Sequence, residues 1–173
     1  REALAVLDAG ERPDLVLCTG LSRPEIKDVL SRTGVRVVQL KIDNFGEMFE
    51  ALRQVGKAAG VAERAEEVVA GMEAQLREAA ASWDKVPGDR RPRVFVEIWN
   101  DPVMTAGGPS FLTDVIERAG GVNVARGLSQ AHPTVNPEEV VRWNPDVILI
   151  GYMSGEGDVR GQVAGRIGWK DLD

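Results

Sequence analysis

Apolar residues along this chain are arranged in two ways, unbroken runs and helically spaced stripes. The runs come first. Arg12-Pro13-Asp14 introduces Leu15-Val16-Leu17 near the start, and Asn144-Pro145-Asp146 introduces Val147-Ile148-Leu149-Ile150 near the end. A run with no polar alternation predicts a central parallel strand, buried by helices on both faces. Each Pro sits just ahead of its run, where a missing N–H costs the ladder least. Two such strands, far apart in the chain, predict two similar α/β units joined by something long. Val35-Arg36-Val37-Val38-Gln39-Leu40 and Arg93 to Trp99 supply a further strand to each unit.

Stripes with helical spacing fill the intervals. Pro24 opens a helix carrying Ile26, Val29 and Leu30 that ends at Gly34, and Asn44 caps one carrying Phe45, Met48, Phe49, Leu52 and Val55. From Ala62 to Trp83 the chain has no Pro and a single Gly, with Ala65, Val68, Val69, Met72, Leu76, Ala79, Ala80 and Trp83 on one stripe. That length predicts a rod roughly 30 Å long, enough to cross between two lobes. Pro87-Gly88-Asp89-Arg90-Arg91-Pro92 then breaks the pattern. Downstream, Met104 to Pro109 reads as a loop, Ser110 to Ala119 as a helix stopped by Gly120-Gly121, and Asn136-Pro137-Glu138-Glu139 as the start of another helix. A last short helix is expected between Asp158 and Ile167. The expected organisation is a lobe over 1–60, an interlobe helix over 61–86 and a second lobe over 87–173.

Composition narrows the function. With 173 residues, 43% of them hydrophobic, the chain can bury a core; its formal charge of −6 argues against a nucleic-acid partner. No apolar stretch reaches the length that spans a bilayer, and no charged and apolar leader pattern opens the chain. The chain begins inside what reads as a helix, Glu2 to Leu7, and stops soon after Trp169, so it is expected to be a piece of something longer. The lone Cys18 lies in the first apolar run, where a small buried side chain is the plainest reading.

Taken in order, Pro13-Asp14-Leu15-Val16-Leu17, Thr33-Gly34-Val35-Arg36-Val37-Val38, the long helix, Arg93-Val94-Phe95-Val96-Glu97, Ala119-Gly120-Gly121-Val122-Asn123, Val135-Asn136-Pro137-Glu138-Glu139-Val140 and Asn144-Pro145-Asp146-Val147-Ile148 form a series. This series resembles the periplasmic substrate-binding proteins of ABC importers for iron-siderophores, haem and cobalamin. The resemblance implies an α/β fold of two Rossmann-like lobes with mainly parallel sheets, linked by one long helix, with the ligand between the lobes. It also implies that the first lobe is incomplete here, because the family has further residues ahead of Glu2, and that the second is truncated. The implied protein is not an enzyme and has no resident cofactor, although its ligand contains iron or cobalt. It lies in the periplasm or is lipid-anchored outside the cytoplasmic membrane, and works as a monomer with an ABC permease.

In open parallel sheets, ligands meet the loops at the carboxyl ends of strands. That rule selects Thr19 and Gly20 after the first strand, Trp99, Asn100 and Asp101 after the third, and Tyr152 after the last. A flat indole at a strand end suits a planar macrocycle or catecholate; the alternative folds Trp99 back as core. His132, the only histidine, stands at a position that resembles one facing the ligand cleft in the family. It is either an axial ligand to a metal centre or a hydrogen-bonded loop residue. Asn136, Pro137 and Glu139 form a capping-box pattern that accounts for Glu139. Glu138 points elsewhere, and the resemblance implies that it forms a salt bridge with an Arg of the permease, with Glu2 as its counterpart on the other lobe.

The Gly-rich Ala106-Gly107-Gly108-Pro109-Ser110 lacks the Walker Lys and the dinucleotide spacing, so a tight turn lining the cleft is expected over an anion cradle. Two rivals stay open, a non-binding interaction module and a cytoplasmic α/β enzyme domain binding a nucleotide or other small cofactor. The enzyme predicts a Gly-rich phosphate loop after the first strand, and Thr19-Gly20-Leu21-Ser22-Arg23 offers one Gly. His132 has no Gly-x-Ser-x-Gly partner, which leaves hydrolase chemistry without an anchor.

Overall fold

A computed structural model describes residues 13–19, 32, 34–152, 158–166 and 168–169. The chain divides into two compact units, Arg1–Met72 and Glu73–Asp173. Most of the helix expected from Pro24, together with Glu2, Gly20 and Met153, lies outside the described residues.

In the first unit, β1 (Leu15–Cys18) pairs in parallel with β2 (Arg36–Gln39), Leu15 opposite Arg36 and Cys18 opposite Gln39. Cys18 is half-buried and its thiol points to the Val38 carbonyl, 3.8 Å away. Helix α1 (Phe45–Ala58) begins where expected: the Glu47 N–H donates to Asn44 Oδ1 at 2.9 Å, occupying one of the helix's orphan donors. Phe49 and Ala51 bury its inner face. Gly60, at φ +75°, turns the chain into the long helix α2 (Ala62–Ala81). The two helices meet at Gly56, where a Cβ would come within 2.3 Å of the Ala65 Cβ, so only glycine fits. This unit also holds the fully buried Val69 and a two-pronged Arg53–Glu66 ion pair (2.8 and 3.0 Å).

The second unit is built round β3 (Arg93–Asn100). It pairs in parallel with β6 (Val147–Ile150) on one side; on the other it pairs in parallel with β5 (Val122–Asn123) and antiparallel with β4 (Val103–Thr105). The α/β class with mainly parallel pairing therefore holds. Helix α3 (Phe111–Arg118), capped by Ser110, closes one face, where Val94, Val96, Ala106 and Ile116 pack together. Helices α4 (Pro137–Trp143) and α5 (Val159–Ala164) close the other, where Phe95 gathers Val103, Val135, Val140 and Trp169, with Val163 at the margin. The second Pro-Asp turn has a clear task. The Asp146 carboxylate accepts the Arg93 N–H at 2.6 Å, while the Arg93 guanidinium donates to the Trp143 and Asn144 carbonyls at the end of α4. One turn thus caps a helix and sets the β3–β6 register.

Two expectations need correction. The Pro-Asp strands are not buried on both faces: Leu17 of β1 and Val147, Leu149 and Ile150 of β6 are exposed, Leu149 to 46%. Among the described residues each strand pairs with only one neighbour, β2 or β3. The loop expected over Met104–Pro109 begins inside β4, a strand too short to show a periodicity. Its glycines pack against backbone. The Gly107 and Gly108 N–H groups donate to the Ala131 and Leu128 carbonyls, and a Cβ on Gly107 would lie 2.0 Å from the Gln130 oxygen. Close approach of a neighbouring backbone, and not an anion, explains the Gly-Gly pair.

Candidate functional site

The carboxyl ends of β3 and β6 carry the densest chemistry in the second unit. Phe95 and Glu97 share a face of β3. Phe95 enters the core, while Glu97 carries a charged group into the same layer with 0% exposure. A buried carboxylate is tolerated only when its oxygens are paired. Here Arg166, just past α5, donates from both terminal nitrogens to the two carboxylate oxygens, the Nη2–Oε1 contact measuring 2.8 Å. The Tyr152 hydroxyl donates to Oε1 at 2.8 Å. Arg166 also reaches the Asn100 carbonyl at 3.4 Å and lies over the Trp169 ring, 4.6 Å from its centroid. Trp169 in turn meets Phe95 edge-to-face at 5.8 Å.

The pKa directions follow from this packing. Burial, reinforced by the hydrogen bond to Glu97, holds the Tyr152 phenol above its ordinary range, so it remains a donor. The hydrogen bond to the Glu97 carboxylate raises Arg166 further, against the opposing effect of burial.

Above this buried network the chain presents aromatic surface. The pairing of β3 with β4 shifts register between Glu97 and Trp99, a bulge that re-aims the side chain at the strand end. Trp99 is 51% exposed, which rules out the core alternative. Its indole N–H donates to the Asp101 carbonyl at 2.9 Å, and its ring tilts against Tyr152 at 59°, centroids 6.4 Å apart. Thus Trp99, Asn100, Asp101 and Tyr152 come together, as the strand-end rule expects.

The other candidates lie on other elements. His132 is exposed in the segment that runs antiparallel to β4, two residues from Thr134, which bridges Met104. Thr19 is exposed at the end of β1 in the first unit. Glu138 is exposed in the first turn of α4. Its N–H donates to Asn136 Oδ1 at 3.0 Å, and its carboxylate makes no ion pair among the described residues. The Glu139 carboxylate closes the capping box on the Asn136 N–H at 3.2 Å. Among the described residues no three His, Cys, Asp or Glu side chains gather into a group able to hold a metal ion.

Glu97, Arg166 and Trp169 were not found by sequence reasoning. The only local sign was a single charge inside Val94-Phe95-Val96-Glu97-Ile98, since Arg166 is 69 residues away.

The second unit thus places an aromatic pair over a fully satisfied ion pair at the carboxyl edge of its sheet, the edge at which open α/β sheets generally meet ligands. Residues 9–172 match the family described as periplasmic binding protein, and the chain belongs to it. It is 24% identical over 167 residues to the uncharacterized ABC transporter substrate-binding lipoprotein YvrC of Bacillus subtilis, covering 94% of this chain and 52% of that one. To a cobalamin-binding protein of Halobacterium salinarum it is 30% identical over 155 residues, covering 87% and 40%. The periplasmic haem-binding protein RhuT of a Roseiflexus species shares the fold, with a TM-score of 0.79 at 23% identity over 96% of this chain and 67% of that one. The chain spans about half the length of the curated relatives it matches.

Proposed function

We propose that this chain is part of an extracytoplasmic solute-binding subunit of an ABC importer, which captures a metal chelate (an iron-siderophore, haem or cobalamin) and delivers it to a membrane permease. The observation that carries this reading is the pair formed by the exposed Trp99 and the half-buried Tyr152 at the carboxyl edge of β3 and β6, in a chain of the periplasmic binding protein family. Stacked or tilted rings offer a broad apolar face with little rotamer freedom to lose, which suits the flat face of a macrocycle. Relatives named for cobalamin and haem support the same ligand class over the enzyme alternative. The protein binds and delivers, and it catalyses no reaction. It works in the periplasm or as a lipoprotein on the outer face of the cytoplasmic membrane, as a monomer.

Asn100, Asp101, Thr19 and Gly20 are further ligand contacts in this reading, and His132 is a candidate axial ligand to the metal. Glu138 docks on the permease, with Glu2 as its counterpart; an exposed carboxylate in a helix's first turn is free to meet a partner's cation. Calorimetric titration with haemin, cyanocobalamin and a ferric hydroxamate tests the function. Saturable, submicromolar binding of one of them is expected, and silence from all three would overturn the ligand class.

A further inference from the structure

Glu97 presents a physical puzzle. An apolar side chain in its place, with an apolar partner at Arg166, would fill the same layer without desolvating two charges. Such replacements are commonly neutral or stabilising. The ion pair is therefore not needed to hold the sheet together. What it does is tie three separate pieces of chain to one point: the end of β3, Tyr152 two residues past β6, and the turn after α5. The tether on Tyr152 is directional, since one hydroxyl on one carboxylate oxygen fixes the ring's height and rotation. That ring is the neighbour of Trp99. Phe95, Trp169, Arg166, Glu97, Tyr152 and Trp99 form a continuous series of contacts that joins the core to the exposed indole.

We infer that Glu97 and Arg166 are positioning residues: through the Tyr152 hydroxyl they hold the Tyr152 and Trp99 rings in the geometry that meets the ligand. The inference rests on the functional reading above and adds to it that the aromatic wall is pre-organised by a buried ion pair. A wall held in place before the ligand arrives loses less entropy on binding.

Two variants and two readouts test it. Tyr152→Phe keeps the ring and removes only the tether. Glu97→Leu combined with Arg166→Met replaces the ion pair by apolar packing; should that pair fail to fold, Tyr152→Phe decides alone. The first readout needs no ligand. In fluorotryptophan-labelled protein the four tryptophans give separate fluorine resonances, and Trp99→Phe assigns one of them. The Trp99 resonance is expected to shift or broaden in both variants while those of Trp83 and Trp143 stay in place. The second readout is affinity for whichever of haemin, cyanocobalamin or ferric hydroxamate binds the unaltered protein. It is expected to weaken about fivefold in Tyr152→Phe, the equivalent of one hydrogen bond, with the thermal midpoint kept.

An unmoved Trp99 resonance overturns the inference, whether or not affinity falls, because Tyr152 then acts on the ligand directly or not at all. A moved resonance with unchanged affinity overturns it too. Failure of the functional reading looks different: the unaltered protein binds none of the probes, or Trp99→Ala binds as tightly as the parent, and the inference then falls with it.

Discussion

Glu97 is the residue whose surroundings decide most about this molecule. Removing one partner of a buried pair is far more disruptive than replacing both, because the remaining charge is left without compensation. Arg166→Ala should therefore destabilise the second unit by about 3–5 kcal/mol, read as a lowered midpoint in chemical denaturation, whereas the combined apolar replacement should not. Tyr152 gives a direct probe of the same site, since it is the chain's only tyrosine. Its phenol is held above the ordinary value, chiefly by burial and then by Glu97. For an acid raised on folding, the stabilisation is complete below the unfolded-state value and is lost as pH climbs through the folded one. Tyrosinate absorbance should accordingly appear later on alkaline titration of the native protein than after denaturation, and Glu97→Gln should bring it earlier. Coincident titration of native and denatured protein would contradict the described hydrogen bond.

At the scale of elements, what could be read from sequence was what is local in sequence. Asn44, Ser110, Asn136 and Asp158 each cap the helix that follows, because a cap and its target amide lie two or three residues apart. Asn136→Ala should remove about 1 kcal/mol of stability, measured by thermal unfolding, with Glu139 losing its reciprocal role. Gly56 illustrates the opposite case. Nothing around it in sequence announces that Ala65 lies against it, and only the α1–α2 packing does. Gly56→Ala should destabilise the first unit by about 1–3 kcal/mol through overpacking. Strands β4 and β5 escaped notice because two or three residues carry no measurable alternation. The apolar runs of β1 and β6 were read correctly as strands but not in their burial, which depends on what lies beside them. The placement of Trp99, Asn100, Asp101 and Tyr152 at strand ends was legible because strand ends are local in sequence. The network under them was not, as an ion pair across 69 residues leaves no mark in either segment.

For the whole molecule, membership of the periplasmic binding protein family and a sheet edge bearing the Trp99–Tyr152 pair support the account proposed above, a lobe that takes part in ligand capture. Two surfaces divide the work in that account, and their variants should separate cleanly. Glu138→Arg should abolish uptake of the chelate in transport assays while leaving solution affinity unchanged, since an exposed charge on α4 takes no part in the aromatic wall. A large loss of affinity in that variant would remove the docking role. The most direct measurement concerns Trp99 itself: quenching of intrinsic tryptophan fluorescence by haemin, cyanocobalamin or a ferric hydroxamate, compared between the parent protein and Trp99→Ala. The account predicts saturable quenching in the parent and, in the variant, binding weaker by about 1–3 kcal/mol with most of the quenching gone. Equal affinity and equal quenching in the two proteins would contradict it.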